Sequence, residues 1–283
     1  MNKLFPIFVV LSLAFASLAC TITINAPAEP TRETRIFTVN EAAPAGVEAA
    51  SLTIEMGAGT LNISGGAKSL VEGTIQYNIP GMVPEVSRDQ EQVRIKQSTG
   101  NEINIPNQNV LNDWDLQLGT MPMALTIKAG AYEGNIDLTG LALTSLSISD
   151  GASQTKVRFD AVNLAAMDSF TYRTGASQVE LRGIGNANTG RFDFEGGAGD
   201  FTLDFSGDLQ RDMTVTIKSG ISSLTVIVPE ETPARVNLVG GLSNISPFGT
   251  WTISGNTYEK EGSGPRMDIT IEMGLGSLKL ISQ

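Results

Sequence analysis

Along most of this chain the apolar residues do not cluster. They alternate with polar ones over short stretches, and each stretch ends three positions before a glycine. Leu52-Thr53-Ile54 precedes Gly57, Leu125-Thr126-Ile127 precedes Gly130, and Leu146-Ser147-Ile148 precedes Gly151. The same frame recurs as Phe170-Thr171-Tyr172 before Gly175, Phe192-Asp193-Phe194 before Gly197, and Val215-Thr216-Ile217 before Gly220. Val236-Asn237-Leu238 before Gly241 and Ile269-Thr270-Ile271 before Gly274 complete eight copies. A period of two in hydrophobicity marks a strand with one buried face. A second alternating stretch follows most of the glycines, as in Phe201, Leu203 and Phe205, or Leu224, Val226 and Val228.

From Gly130 to Gly241 the glycines recur every 21 to 24 residues. A fixed period of this length is the signature of stacked coils, each unable to enclose a core alone. The fold class predicted is therefore all-β, a stacked β-solenoid of coils of about 22 residues. An antiparallel β meander or sandwich, with the glycines in hairpin loops, is the competing architecture. In a parallel stack like positions superpose. Thr53, Thr126, Ser147 and Thr171 would then form an outward ladder, and Arg173, Glu195 and Lys218 would alternate in sign up the stack. The central glycines are expected at corners with positive φ, Gly175 among them. Two stretches break the period: 58–129, with a charged run at 87–96, and 247–267, which carries Trp251 and Tyr258 and is expected to cap the open end.

The N-terminus reads differently. Lys3 is followed by an apolar run from Leu4 to Leu18, the length of an export signal's core and short for a membrane span. It closes on Ser17-Leu18-Ala19-Cys20, which resembles a bacterial lipobox, with Cys20 as the lipidated residue. Cleavage by ordinary signal peptidase after Ala19, or an uncleaved anchor, are the alternatives. Residues 1–19 are thus expected to be a signal peptide and 20–48 a lipidated N-terminus and linker rich in Pro, Ala, Thr and Glu. Residues 49–115 form an N-terminal β region, and 116–283 the solenoid repeats with a C-terminal cap. Each reading places the folded part outside the cytoplasm, with the lipid-anchor reading making the membrane a partner.

Composition narrows the chemistry. The chain has no histidine and a single cysteine, Cys20, which removes Ser-His-Asp and Cys-His catalysis, His-ligated zinc and any intramolecular disulfide. A formal net charge of -11 repels nucleic acid, so no nucleic-acid partner is expected. The densest acidic cluster is Asp193, Glu195, Asp200 and Asp204; for a polysaccharide lyase or glycosidase these would have to converge on one face. Gly196-Gly197-Ala198-Gly199-Asp200 is close to a calcium-binding glycine-rich turn, with the aspartate one position early. Flat aromatic faces suit sugar rings, and Trp114, Tyr132, Tyr172, Trp251 and Tyr258 are the residues that could take that role. Tyr172 falls on an inward position, whereas Trp114 and Trp251, in the irregular stretches, are the ligand-binding candidates. No catalytic residue, metal site or cofactor is expected.

Over 51–97 the residues Gly57-Ala58-Gly59, Leu61, Ile63, Gly65-Gly66-Ala67, Leu70, Glu72-Gly73 and Tyr77-Asn78 resemble the N-terminal domain of the bacterial toast-rack family. Residues 114–280, with the closing Gly274-Leu275-Gly276-Ser277-Leu278, are similar to the β-rich domain of LiaF-type envelope-stress proteins and adhesin-like proteins. The resemblance implies a toast-rack-like stacked sheet outside catalytic families and a role at the cell envelope. Because a tethered solenoid exposes long flat faces and its irregular segments carry Trp114 and Trp251, a non-enzymatic protein that binds a cell-wall polymer (glycan) or a protein partner is expected. A surface polysaccharide lyase or glycosidase, or a purely structural coat protein, are the alternatives. LiaF-type proteins carry several N-terminal membrane helices, and this chain has a signal with a candidate lipid anchor in their place.

Overall fold

The computed structural model describes residues 33–79, 81–98, 110–240 and 244–283. Its strands are β1 (Arg35–Glu41), β2 (Ala50–Gly65), β3 (Val71–Tyr77), β4 (Pro84–Asp89), β5 (Gln92–Gln97) and β6 (Asn112–Leu118). The repeats supply β7 (Met123–Asp137), β8 (Leu143–Arg158), β9 (Phe170–Arg182), β10 (Arg191–Asp204) and β11 (Met213–Val228). The last part forms β12 (Ala234–Gly240), β13 (Asn244–Phe248), β14 (Thr252–Ser254), β15 (Thr257–Lys260) and β16 (Met267–Ser282). Among the described residues the helical content is one 3-10 turn, Ile184–Ala187.

All sixteen strands belong to one sheet, and its central pairs are parallel: β2 with β7, β7 with β8, β8 with β9, β9 with β10, β10 with β11 and β11 with β16. This is the stacked solenoid, and the meander is excluded. Register follows the sequence frame. Thr53 lies opposite Thr126, Thr126 opposite Ser147, Ser147 opposite Thr171, and Thr171 opposite Asp193. The charge ladder forms too, with Lys128 Nζ 3.2 Å from Glu55, Arg173 Nε 3.3 Å from Glu195 and Lys218 Nζ 3.6 Å from Glu272. The Arg173–Glu195 and Lys218–Glu272 pairs are largely exposed, so each adds well under about 1 kcal/mol and serves register more than stability, whereas Glu55 is mostly buried.

Each long strand folds back on itself at its glycine. In β10 the inward residues are Phe192 and Phe194 before the glycine and Phe201 and Leu203 after it, so the alternation changes phase at the bend. The two arms face one another across the core: the Phe194 and Phe201 rings lie 5.0 Å apart and those of Phe192 and Phe205 5.7 Å apart, both edge to face. Successive rungs continue the contact, with Phe170 4.9 Å from Phe192 and Tyr172 stacked 5.8 Å from Phe194. Such pairs add roughly 0.5–1.5 kcal/mol each beyond the area they bury. The result is a sheet creased along its glycine line into two layers with one apolar interior. That interior runs without a break from Leu52 to Leu280, and the division between residues 115 and 116 falls inside β6.

The glycines sit on the crease for a reason other than the expected one. Gly175 does not have positive φ; within these bends that conformation belongs to Gly59, Gly199 and Gly276, two residues further on. What the central glycines supply is closeness. A Cβ at Gly130, Gly151, Gly175, Gly197, Gly220 or Gly274 would stand between 2.3 and 2.9 Å from the carbonyl oxygen of the glycine in the neighbouring rung.

The ends depart from chain order. The last strand, β16, lies between β11 and β12, so the copy built around Val236 and Leu238 is the outermost rung and the Ile269 copy is inside it. At the other end β2 is likewise second, covered by β5 on one arm and β6 on the other. Antiparallel strands finish both ends: β3 and β1 beyond β6, β4 beyond β5, and the β14–β15 hairpin beyond β12. At the N-terminal crease two amides replace the missing rung. Gln97 Oε1 accepts the Gly57 N–H at 2.9 Å, its Nε2 donates to Asn112 Oδ1 at 2.9 Å, and the Asn112 amide donates to the Ala58 carbonyl.

Candidate functional site

The ligand-binding role expected of Trp114 is not supported. It lies on β6 with 0% exposure, and its indole N–H donates to Asn112 Oδ1 at 3.0 Å, so it belongs to the core beneath the N-terminal crease. Trp251 is half-buried, packed against the core, and its indole N–H donates to the Phe248 carbonyl at 3.1 Å. Tyr132, Tyr172 and Tyr258 are buried as well. Cys20 and the leader lie outside the described residues.

The acidic cluster on β10 is split by the crease. Asp193, on the first arm, pairs with Arg191 at 2.6 Å, and Glu195 pairs with Arg173; Asp204, on the second arm, accepts the Ser206 N–H at 2.9 Å. Asp193 and Asp204 thus decorate opposite outer faces with the aromatic interior between them. Its glycines have packing reasons: a Cβ at Gly196 would strike the Phe201 ring at 2.5 Å, and one at Gly199 the Ser177 carbonyl oxygen at 1.8 Å. Among the described residues no group of three His, Cys, Asp or Glu side chains is placed to hold a metal ion.

A depression does exist, on the outer face of the second arms near the N-terminal end, and it encloses about 650 Å3. It forms where the antiparallel β1–β3–β6 extension meets parallel β2, β7 and β8, and the accumulated strand twist dishes the surface. Outward positions on neighbouring strands line it in two rows. In one row Thr38 lies opposite Thr74, Thr74 opposite Asp115, Asp115 opposite Asn62, and Asn62 opposite Asn135. In the other Asn40 lies opposite Glu72, Glu72 opposite Gln117 and Gln117 opposite Ser64, with Asp137 and Arg158 paired beyond. Every one of these side chains can hydrogen-bond, and none is aromatic.

The charges in the groove are largely engaged. Asn62 Nδ2 donates to Asp115 Oδ1 at 2.8 Å, and Arg158 bonds Asp137 at 2.6 Å. Burial alone would raise the Asp137 carboxyl, but hydrogen bonds from Thr139 and the Arg158 guanidinium outweigh it and hold it below the usual carboxylate range. The Glu72 carboxyl is lowered by the backbone N–H and hydroxyl of Ser69, with the Lys68 N–H assisting. Among the described residues the side chains of Gln117 and Asn135 have no hydrogen-bond partner. Sequence reasoning missed this groove, since Asn62 and Asp115 are 53 residues apart and meet only because β6 pairs with β2.

Among curated proteins none matches this chain. Its fold is similar to that of a candidate cell adhesion protein from Clostridium sporogenes, at 21% identity and a TM-score of 0.48, over 89% of this chain and 99% of that one. It is also similar to a candidate adhesin from Bacteroides fragilis, at 11% identity and a TM-score of 0.38, over 89% and 98% of the two chains. Residues 25–169 and 167–227 both match the family described as N-terminal domain of toast_rack, DUF2154, and on that extent of agreement the chain belongs to this family.

Proposed function

We propose that the protein is a non-enzymatic lipoprotein of the bacterial cell envelope, held to the membrane through Cys20, that presents its stacked sheet to a cell-wall polymer or a protein partner in the manner of an adhesin. The observation that carries the reading is the groove of hydrogen-bonding side chains on a face built from strands paired into one sheet. Such a face is rigid, and rigid polar surfaces bind with little ordering cost. Reaction chemistry has no comparable support, because the carboxylates that share a face are tied to arginine, asparagine or serine.

Mass spectrometry of the mature protein tests the anchor: a diacylated Cys20 at the N-terminus is expected, and cleavage with Cys20 unmodified would refute it. Retention of the protein on cell-wall preparations, run beside a reducing-end release assay on the same material, tests the role. Retention without release is expected. Release of sugar ends would make it a hydrolase or lyase.

A further inference from the structure

The groove's chemistry is specific enough to name a class of ligand. From its lining we infer that it binds a neutral, polyhydroxylated chain, a linear oligosaccharide lying across strands β1, β3, β6, β2, β7 and β8. The inference rests on the binding role proposed above.

Three observations carry it. The first is polarity with only a small negative charge. Glu72, Asp115 and Asp137 against Arg158 give the lining a formal charge of -2 on a protein of net -11, which disfavours phosphate-rich or carboxylate-rich polymers. The carboxylates are already bonded within the protein, so a cationic ligand would have to compete with Arg158 and with the Ser69 and Lys68 N–H groups. The second is the kind of side chain left over. Gln117 and Asn135 have unused amides, each offering a donor and an acceptor in one plane, and that pairing fits neighbouring hydroxyls on a sugar ring. The third is shape. Six strands about 4.8 Å apart span roughly 24 Å, so the rows form an extended track suited to several sugar units in line rather than a closed pocket for a single small molecule. A peptide lying on the outward rows is the poorer fit, because those rows offer no apolar anchor for its side chains.

The test uses the full-length protein and soluble tetra- to hexasaccharides of β-1,4-linked glucose, xylose and N-acetylglucosamine, with polyglycerol phosphate and an oligolysine peptide as charged probes. Binding is followed by calorimetry and by saturation-transfer NMR. At least one neutral oligosaccharide should bind, with affinity unchanged within twofold between 50 and 500 mM salt. The double variant Gln117→Ala/Asn135→Ala should weaken it at least tenfold with no change in melting temperature. A Thr225→Ala control, further along the same face, should bind as the parent does. Undiminished glycan binding in the double variant would overturn the groove assignment and leave the binding role standing. Retention on cell walls with no neutral oligosaccharide bound, or salt-sensitive binding of a charged probe alone, would overturn the ligand class and again leave the role. Failure of both retention and oligosaccharide binding would remove the role and the inference together.

Discussion

Replacing Gly175 with alanine tests why the crease is made of glycine. The added Cβ would lie 2.3 Å from the Gly151 carbonyl oxygen and 3.3 Å from its carbon. Ordinary contact needs about 3.4 Å, so β8 and β9 would have to separate by about 1 Å at the crease, and the obstacle is backbone that cannot swing aside. Overpacking of this kind costs about 1–3 kcal/mol, and stretching the adjoining inter-rung hydrogen bonds places Gly175→Ala at the upper end, about 3 kcal/mol. The same reasoning grades the series. At Gly151 the Cβ would sit 2.9 Å from the Gly130 oxygen, a deficit about half as large, so about 1 kcal/mol is expected. At Gly57 it meets only the Gln97 side-chain oxygen, at 3.3 Å, which can give way. There the lower entropy of the unfolded chain offsets most of the cost and the change should be close to neutral. Urea titration followed by far-UV circular dichroism measures all three. If Gly175→Ala proves no worse than Gly57→Ala, or stabilises the protein, close approach is not what the glycine provides.

Asn163 is 2% exposed in the return loop after β8; its amide oxygen accepts the Leu143 N–H at 2.9 Å and its nitrogen donates to the carbonyls of Leu143 and Ala165 at 2.8 and 2.7 Å. Asn163→Ala strands these backbone groups and should cost about 3 kcal/mol in chemical denaturation. Burial pushes the Tyr132 phenol up to about 12 and the Tyr172 phenol well above its ordinary value. A folded-state pKa above the unfolded one gives stability that is complete below pH 10 and falls as pH rises toward 12. The Tyr132 part is about 3 kcal/mol, absent in Tyr132→Phe, and tyrosinate absorbance at 295 nm should appear together with unfolding. Trp114, fully buried, should fluoresce in the blue and resist acrylamide in the Trp251→Phe variant, while Trp114→Ala should lose about 4 kcal/mol; quenching of Trp114 would contradict its place in the core.

The repeat was legible because alternation and in-register stacking are local rules repeated many times. Leu52, Leu125, Leu146 and Phe170 each announce an inward position, and their superposition requires only that the frame be kept. The order of rungs at the ends was not legible, since β12 and β16 share one pattern and either could follow β11. Trp114 was misread for a different reason. Asp113-Trp114-Asp115-Leu116-Gln117-Leu118 alternates as strictly as any repeat, but no glycine frame flanks it, so a buried strand passed for an irregular segment. The crease glycines were placed correctly and explained wrongly, because sequence shows that a side chain is excluded without showing whether dihedral angle or a neighbouring carbonyl excludes it.

The position of β16 between β11 and β12 bears on how the chain completes its fold. Emerging from its N-terminus, the polypeptide can lay down β8, β9, β10 and β11 in turn, each on the strand before. The segment holding β12 and β13 then arrives before the neighbour it needs exists. It has to wait for the final 16 residues of strand to enter the gap and pair on both sides. Closure is therefore reserved for the full-length product. A polypeptide cut short by even one strand lacks an inner rung, and its hydrophobic interior stays open to proteases.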